Sequence, residues 1–244
     1  MAKSGYSLAL YQAWYERNIV EGSDTFEKFR FHLEEQLDSL PMTGCRVLEV
    51  GCGKGALSLY LAMFSGAQHV AALDESAGEG SPIGITRVLK SAIADLGVTN
   101  LSVHEVDIMA NPFLDRSFDI IIANNSLHHV VETGLIFHDR EAQQQYVRLF
   151  LELKRLLADG GVLTLCEFSR GSFWRWSPIK WKWGDIDWYL HPTLGEWLFV
   201  IREAGLRVTD FRYSVPYRLR HLRPLVANNV IQFMLTPSFI ISAQ

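Results

Sequence analysis

The chain has 244 residues, 48% of them apolar, and carries 23 basic against 27 acidic side chains, a net charge of −4. This length accommodates one α/β domain with a small appendage but not two large domains. The apolar fraction excludes a disordered chain, and the net charge argues against a general polybasic nucleic-acid binder, although a local basic patch stays open. The three cysteines form no CxxC pair, so we expect no disulfide framework, no metal site and a reducing, cytoplasmic setting.

Hydrophobic periodicity predicts alternating helices and strands. Residues 1–40 are expected to be helical, because apolar side chains recur at three- and four-residue steps between Phe26 and Leu40, and Pro41 ends this region. Strands are predicted at residues 46–50, 69–74, 101–107, 118–124 and 162–168, with helices between them at 56–64, 83–96 and 134–157. This alternation predicts a doubly wound α/β fold, a parallel sheet with helices on both faces.

The rhythm changes after the fifth strand. Residues 170–192 contain five tryptophans and show no clear period. Beyond them we predict a helix at 194–204, a strand at 206–213, a helix around 222–235 and a last strand at 238–242. The uncharged stretch 224–244 contains polar residues and a proline, so we interpret it as a buried helix and a strand rather than as a membrane span. No targeting segment is expected.

A glycine-rich loop follows the first predicted strand. Residues 49–55 read Glu-Val-Gly-Cys-Gly-Lys-Gly and lead directly into a helix. Glycines at such a turn permit a tight bend and a close approach of the backbone to a ligand. Asp74 ends the second strand, where an acid can accept hydrogen bonds from ribose hydroxyls. Asp107 ends the third predicted strand, from which it could reach an adenine amino group.

Three kinds of site compete for this loop. Gly51-x-Gly53-x-x-Ala56 satisfies the loose dinucleotide pattern. A P-loop is excluded, because Leu48 stands where that pattern needs a glycine and Gly55 stands where it needs Ser or Thr. The third possibility is a site for S-adenosylmethionine.

The motifs resemble those of the class I S-adenosylmethionine-dependent methyltransferases. Residues 47–55 are similar to motif I of that family, and the acid two residues before the first glycine favours it over dehydrogenases. Residues 118–130 resemble its fourth-strand motif, in the form of small-molecule methyltransferases of the quinone-biosynthesis type, and residues 156–163 resemble the turn into the fifth strand. The resemblance implies a seven-stranded sheet of order 3-2-1-4-5-7-6 with an antiparallel seventh strand. It divides the chain into an N-terminal helical cap (1–40) and a methyltransferase domain (41–244) with a lid-like insert at 170–192.

The resemblance also implies contacts to S-adenosylmethionine. Glu49 is expected below the methionine amino group, Asp74 at the ribose hydroxyls, and Asp107 with Ile108 at the adenine. The complete set implied is Glu49, Gly51, Cys52, Gly53, Gly55, Asp74, Asp107, Ile108, Asn124 and Asn125. The alternative is an ordinary strand–turn–helix in which Asp107 is a turn acid.

Two adjacent histidines follow the fourth strand. An acceptor with a phenol, hydroxyl or amine needs a base, and an imidazole titrates near neutral pH, so His128 or His129 is a candidate catalytic base. The alternative is that the pair packs the loop and lines the cofactor. The run Asn124-Asn125-Ser126-Leu127 differs from the Asn/Asp-Pro-Pro-aromatic run typical of methyltransferases acting on nucleobase amines, which lowers that hypothesis.

Charge and aromatic content separate the two parts of the chain. Residues 1–169 carry 13 basic and 22 acidic side chains, a net of −9, whereas residues 170–244 carry 10 and 5, a net of +5. The Trp-rich segment is interpreted as a substrate lid, with single-stranded nucleic acid, a membrane interface and core packing as alternatives. The candidate substrate contacts are Tyr11, Tyr15, Trp174, Trp176 and His191.

The sequence therefore predicts a cytoplasmic enzyme that moves a methyl group from S-adenosylmethionine to O, N or C of an aromatic or lipophilic small molecule. A methyltransferase acting on RNA, a peptide or a protein is the alternative within the class. A nicotinamide-dependent oxidoreductase and a binding protein without catalysis stay open. No stable nucleic-acid partner is expected, and contact with a membrane surface is an open possibility.

Overall fold

A computed structural model describes residues 5–20, 25–75, 82–176, 187–226 and 228–244. The strands are β1 (Arg46–Val50), β2 (His69–Asp74), β3 (Leu101–Glu105), β4 (Phe118–Asn124), β5 (Leu157–Phe168), β6 (Val208–Tyr213) and β7 (Ser238–Ala243). The helices are α1 (Leu8–Asn18), α2 (Phe26–Leu37), α3 (Ala56–Phe64), α4 (Arg87–Leu96), α5 (Arg140–Leu156), α6 (Phe173–Trp176), α7 (Leu194–Glu203), α8 (Arg223–Val226) and α9 (Asn229–Leu235). Short 3₁₀ helices lie at Ile108–Ala110, Leu127–His129 and Tyr217–Leu222.

Among the described residues, seven strands form one sheet of order β3-β2-β1-β4-β5-β7-β6. β1 pairs in parallel with β2 and β4, whereas β7 runs antiparallel to β5 and β6. The predicted strand order and the antiparallel seventh strand are therefore confirmed. The chain divides into two compact units, one comprising residues up to Ala123 together with Arg155–Val162, the other Asn124–Lys154 together with Leu163–Gln244.

The first unit contains the parallel part of the sheet. Leu48 of β1 lies in register with Ala71 of β2 and with Ile121 of β4. All three side chains are at most 2% exposed, as expected for strands covered on both faces. The helices α1 and α2 are capped at their N-termini by Ser7 and Thr25, whose hydroxyls accept hydrogen bonds from the backbone amides of Leu10 and Lys28.

The second unit contains the antiparallel strands and the long helix α5. Trp197 of α7 is fully buried, and its ring packs edge-on against Tyr146 and Phe150 of α5. Glu196 closes a capping box with Thr193 at the start of α7 and accepts two hydrogen bonds from the buried Arg170. The charged pair is thus hydrogen-bonded on both sides, which is what a buried ion pair requires.

Several predicted boundaries are shifted, for local reasons. β3 ends at Glu105 because Asp107 already caps the 3₁₀ helix that follows. The helix predicted over 134–157 begins only at Arg140, after a turn in which Asp139 accepts hydrogen bonds from the next amides. The single helix predicted around 222–235 is divided, because the Asn228 side chain accepts a hydrogen bond from Ile231 and so starts a new helix.

The end of the chain corrects one expectation. β7 is buried as predicted, but the helical part before it is largely exposed, with Leu225 at 72% and Val230 at 75%. The interpretation of residues 224–235 as a buried helix was therefore wrong. In the part of the chain that the structure describes, no helix has the length and apolar character needed to cross a membrane.

Candidate functional site

The glycine loop joins β1 to α3 through left-handed backbone. Gly51, Gly53 and Gly55 have φ angles of +76°, +52° and +83°. The amides of Gly51 and Cys52 donate to the Leu73 carbonyl at 2.8 and 3.0 Å, which ties the loop to the end of β2. Glycine is required here because residues with a side chain rarely adopt such φ values.

The glycines differ in the space around them. A Cβ added to Gly55 would lie 2.7 Å from two side-chain carbons of Leu89, so α3 and α4 approach each other only because this residue lacks a side chain. Within the described residues, a Cβ added to Gly53 would meet only Ile85, at 3.7 Å. Gly55 therefore serves helix packing, whereas Gly53 leaves open space beside the loop backbone.

Two buried carboxyl groups lie beneath the loop. Asp74 is 2% exposed, and its Oδ2 accepts a hydrogen bond from the Gly53 amide at 2.6 Å. Glu49 is 3% exposed and accepts a hydrogen bond from the Ser58 hydroxyl. Burial raises the pKa of Glu49 to about 8, and the nearby charge of Asp74 adds to this effect while Ser58 opposes it. The structure thus brings Glu49, Gly53 and Asp74 together, as the motif predicted.

Glu49, Asp74 and Gly53 fit S-adenosylmethionine, the cofactor that the motif implies. Among the described residues, none that influences the pKa of Glu49 is cationic, so an ammonium group would supply a counter-charge to its carboxylate. Asp74 can accept hydrogen bonds from vicinal hydroxyls at the strand end. The open side of Gly53 gives a ligand access to the backbone.

Replacement of Glu49 by Gln is expected to stabilise the ligand-free protein at alkaline pH. In the native state Glu49 stays protonated up to about pH 8, whereas in the unfolded chain it ionises near pH 4.5. The free energy of unfolding of the wild type therefore falls as the pH rises through that window. Gln has no such proton. Glu49→Gln should therefore gain about 4 kcal/mol over the wild type between pH 5 and pH 8.5, measured by urea denaturation.

The control for this experiment is Glu105→Gln. Hydrogen bonds from Lys90 and Thr86 lower the pKa of Glu105, so the carboxyl group is ionised at both pH values. Its stability difference from the wild type should be the same at pH 5 and pH 8.5. A gain in Glu49→Gln that does not depend on pH would contradict the buried, protonated state of Glu49.

The predicted adenine and loop contacts lie in the same unit. Asp107 is exposed, and its Oδ1 accepts a hydrogen bond from the Met109 amide at 2.8 Å, whereas Ile108 is buried. Asp107 therefore caps a turn in this structure, and its contact with adenine stays a prediction. Cys52 is buried in the loop, and burial raises the pKa of its thiol. The thiol is therefore neutral and contributes an apolar side chain to the loop.

Tyr11 and Tyr15 lie in the hydrophobic core of the first unit. Tyr11 is 0% and Tyr15 4% exposed, and the Tyr11 hydroxyl donates to the Ala56 carbonyl at 2.7 Å. The Tyr11 ring packs against the rings of Phe26 and Tyr60. This placement does not support the predicted substrate contact, because helical aromatic spacing serves core packing as well as ligand binding and the sequence alone does not separate the two.

In the second unit, the fourth-strand motif leads into a constrained turn. Asn124 ends β4, and Asn125 has a φ of +50°, with its amide donating to the Cys166 carbonyl at 2.8 Å. Asparagine is one of the few residues with a side chain that adopts left-handed backbone readily. The turn therefore requires the residue type that the motif supplies, and a contact of Asn124 or Asn125 with the cofactor stays a prediction.

The buried carboxylate of Glu167 organises the histidine turn. Glu167 lies on β5 and is 0% exposed. Its Oε1 accepts hydrogen bonds from the amides of Ser126 and Leu127 at 3.0 and 2.9 Å, and its Oε2 lies 2.7 Å from Nδ1 of His128. The sequence analysis did not identify this residue. The available signal was a single acid within the apolar run of the fifth strand.

Three imidazole rings lie close together beside this carboxylate. The His128 ring lies 4.0 Å from the ring of His129 and 4.1 Å from that of His191, centroid to centroid. Burial lowers the pKa of His191 to about 3, with further contributions from His128 and His129, so His191 is neutral at physiological pH. His191 thus lies beside the candidate base, and its contact with the substrate stays a prediction.

The composition of this cluster is also that of a metal site. Ligand atoms of His128, Glu167 and His191 all lie within 4.8 Å of one another. Both Glu167 oxygens, however, already have amide or imidazole partners. We therefore interpret the cluster as a hydrogen-bonded His128–Glu167 pair with the His191 ring packed beside it.

The Trp-rich segment lies mostly outside the described residues. The backbone of Trp174 and Trp176 forms α6, but their side chains are not described, and residues 177–186 are not described at all. The predicted lid and the contacts of Trp174 and Trp176 therefore stay predictions.

Comparison with known proteins identifies the family. A family model described as a methyltransferase domain matches residues 41–179, more than half of the chain. The chain belongs to the methyltransferase family. This confirms the enzyme class and the resemblance to the class I S-adenosylmethionine-dependent methyltransferases, whose cofactor is S-adenosylmethionine. The quinone-biosynthesis subtype stays a prediction. No curated protein sequence matches the chain.

Solved methyltransferase structures share the fold. An S-adenosylmethionine-dependent methyltransferase from Mesorhizobium loti is 20% identical, with a TM-score of 0.60 over 86% of this chain and 97% of its own. One from Aquifex aeolicus is 16% identical, with a TM-score of 0.60 over 96% and 97%. One from Methanosarcina mazei is 21% identical, with a TM-score of 0.56 over 85% and 94%. At these identities the likeness extends to the fold and not to the acceptor.

Proposed function

We propose that this methyltransferase methylates a small aromatic or lipophilic molecule at an acidic O–H or N–H group, with His128 as the general base. The observation that carries the proposal is the buried His128–Glu167 pair, with 2.7 Å between Nδ1 and Oε2. A carboxylate in this position holds the Nδ1–H tautomer and leaves the Nε2 lone pair available.

S-adenosylmethionine supplies an electrophilic methyl group when it is bound, and the residues of this chain bind, orient and deprotonate. Glu49 and Asp74 would hold the methionine amino group and the ribose hydroxyls. As the bond from the acceptor atom to the methyl carbon forms and the bond from sulfur to that carbon breaks, the acceptor proton passes to Nε2 of His128. Glu167 stabilises the imidazolium that results.

Burial of the base supports a small acceptor. His128 is 5% exposed, so an acceptor group must enter the protein to reach it. A small molecule can do so, whereas a nucleotide or side chain on a macromolecule would have to be extruded from its surroundings. The fourth-strand run also lacks the Pro-Pro-aromatic sequence of methyltransferases that act on nucleobase amines.

The test is the fate of a labelled methyl group. The full-length protein is incubated with S-adenosylmethionine labelled in its methyl group and with a cell extract divided into small-molecule, RNA and protein fractions. We expect label in a solvent-extractable product of the small-molecule fraction and none in that fraction with His128→Gln. Label that enters RNA or protein and is released by ribonuclease or protease would overturn the proposed acceptor class.

A further inference from the structure

The helical segment Tyr217–Leu235 presents apolar side chains to solvent. It consists of a 3₁₀ helix, α8 and α9. Its exposed apolar side chains are Leu222, Leu225, Val230, Ile231, Phe233 and Met234, with exposures between 36% and 75%. Scattered apolar residues are normal at a protein surface, but here six exposed ones lie within thirteen positions of one segment.

The same segment is basic and contains no acid. No Asp or Glu occurs after Asp210, whereas the segment carries Arg218, Arg220 and Arg223. Arg218 and Arg223 are exposed, and the Arg220 guanidinium lies 4.1 Å from the centre of the Tyr217 ring. Positive charge and apolar surface therefore occur on the same short stretch of chain.

The fold fixes this segment in place. The Phe233 ring packs against Tyr213 of β6 at 5.9 Å between centroids, and the Asn228 side chain caps α9. α9 also packs against α6, where Phe173 is 44% exposed and adds to the apolar surface. The exposed side chains thus belong to an anchored element and not to a loose chain end.

We propose that Tyr217–Leu235 is a docking surface for an anionic lipid membrane, on which it lies in the plane of the interface. Apolar side chains enter the boundary between headgroups and acyl chains while arginines contact acidic headgroups. In a two-fold contact between two copies this surface would face itself, and the segment has no acidic side chain to pair with its arginines. A nucleic acid would use the arginines but leave the apolar side chains in water. This surface does not depend on the proposed acceptor.

The test is co-sedimentation of the full chain with vesicles of phosphatidylcholine alone and with phosphatidylglycerol added. Partitioning should favour the anionic vesicles and weaken with salt. Arg218→Gln with Arg223→Gln should lower the partition coefficient about thirtyfold, since each arginine near such a surface contributes about fivefold. Leu225→Asp with Val230→Asp should lower it at least about tenfold.

Matched controls separate the segment from general charge and hydrophobicity. Arg202→Gln with Arg207→Gln removes the same charge elsewhere on the surface, and Leu114→Asp alters a side chain that is 80% exposed. Both controls should bind as the wild type does, and unfolding midpoints verify that all variants fold. The proposal would be overturned if the wild type did not bind anionic vesicles, or if the control variants lost as much binding as the segment variants do. So would an Asp pair that only converts a dimer to a monomer, or arginine-dependent binding to a single-stranded RNA without binding to vesicles.

Discussion

Replacing His128 with Gln is expected to lower kcat about 10²- to 10⁴-fold, the range of a lost general base. The substitution keeps a side chain that can donate a hydrogen bond to Glu167, so the turn that Glu167 holds through Ser126 and Leu127 should persist. The dissociation constant of S-adenosylhomocysteine should change little. The measurement is single-turnover methyl transfer at saturating cofactor, once an acceptor has been identified.

The adjacent histidine provides the control. His129→Gln should retain kcat within about threefold, because the buried carboxylate contacts the imidazole of His128. Glu167→Gln should lower kcat but less than His128→Gln does, since it removes the orienting group and leaves the base in place. If His129→Gln abolished turnover and His128→Gln did not, the assignment of the base would be wrong.

Gly55→Ala is expected to cost about 3 kcal/mol of unfolding free energy and to abolish cofactor binding. The new methyl group would lie 2.7 Å from side-chain carbons of Leu89, and the backbone at φ +83° disfavours any side chain. Relief of the clash requires α4 to move away from the start of α3, which displaces the glycine loop that leads into α3. Urea denaturation gives the first quantity, and calorimetric titration with S-adenosylhomocysteine gives the second.

Gly97→Ala separates the two causes. Gly97 has a φ of +63°, and a Cβ there would meet no atom of the described residues within 4 Å. It should therefore show the backbone cost alone, about 1 kcal/mol, and bind the cofactor product as the wild type does. Equal losses in the two variants would show that packing against Leu89 contributes nothing.

The strands of the parallel sheet and the glycine loop are predicted well from the sequence, because each is recognised in a short run of neighbouring residues. β1, β2 and β4 are short apolar runs whose ends coincide with the predicted ones, and the glycines and Asp74 follow at fixed distances. The antiparallel orientation of β7 was implied by the resemblance to the family. Each of these features depends on residues that are close together in the chain, or on a pattern shared by the family.

The remaining features depend on tertiary contacts that local patterns do not contain. Glu167 contacts His128 across 39 positions of sequence, so an acid in an apolar strand gave no indication of its partner. Tyr11 and its aromatic neighbours are spaced as on one face of a helix. Such a face is compatible with a hydrophobic core and with a substrate pocket equally. The helices before β7 are apolar, and hydropathy alone assigns such helices to the core, although Leu225 and Val230 lie at the surface.

Thermal unfolding with S-adenosylhomocysteine or with NADH, in the wild type and in Asp74→Ala, shows directly whether the glycine loop binds the methyl-donor cofactor or a dinucleotide. A ligand that binds only the native state raises the midpoint by an amount that grows with its concentration. We predict a rise with S-adenosylhomocysteine alone, lost in Asp74→Ala, because this carboxylate accepts from Gly53 and faces the predicted ribose position at the end of β2. A rise with NADH alone would contradict the account and favour the dinucleotide pattern Gly51-x-Gly53-x-x-Ala56.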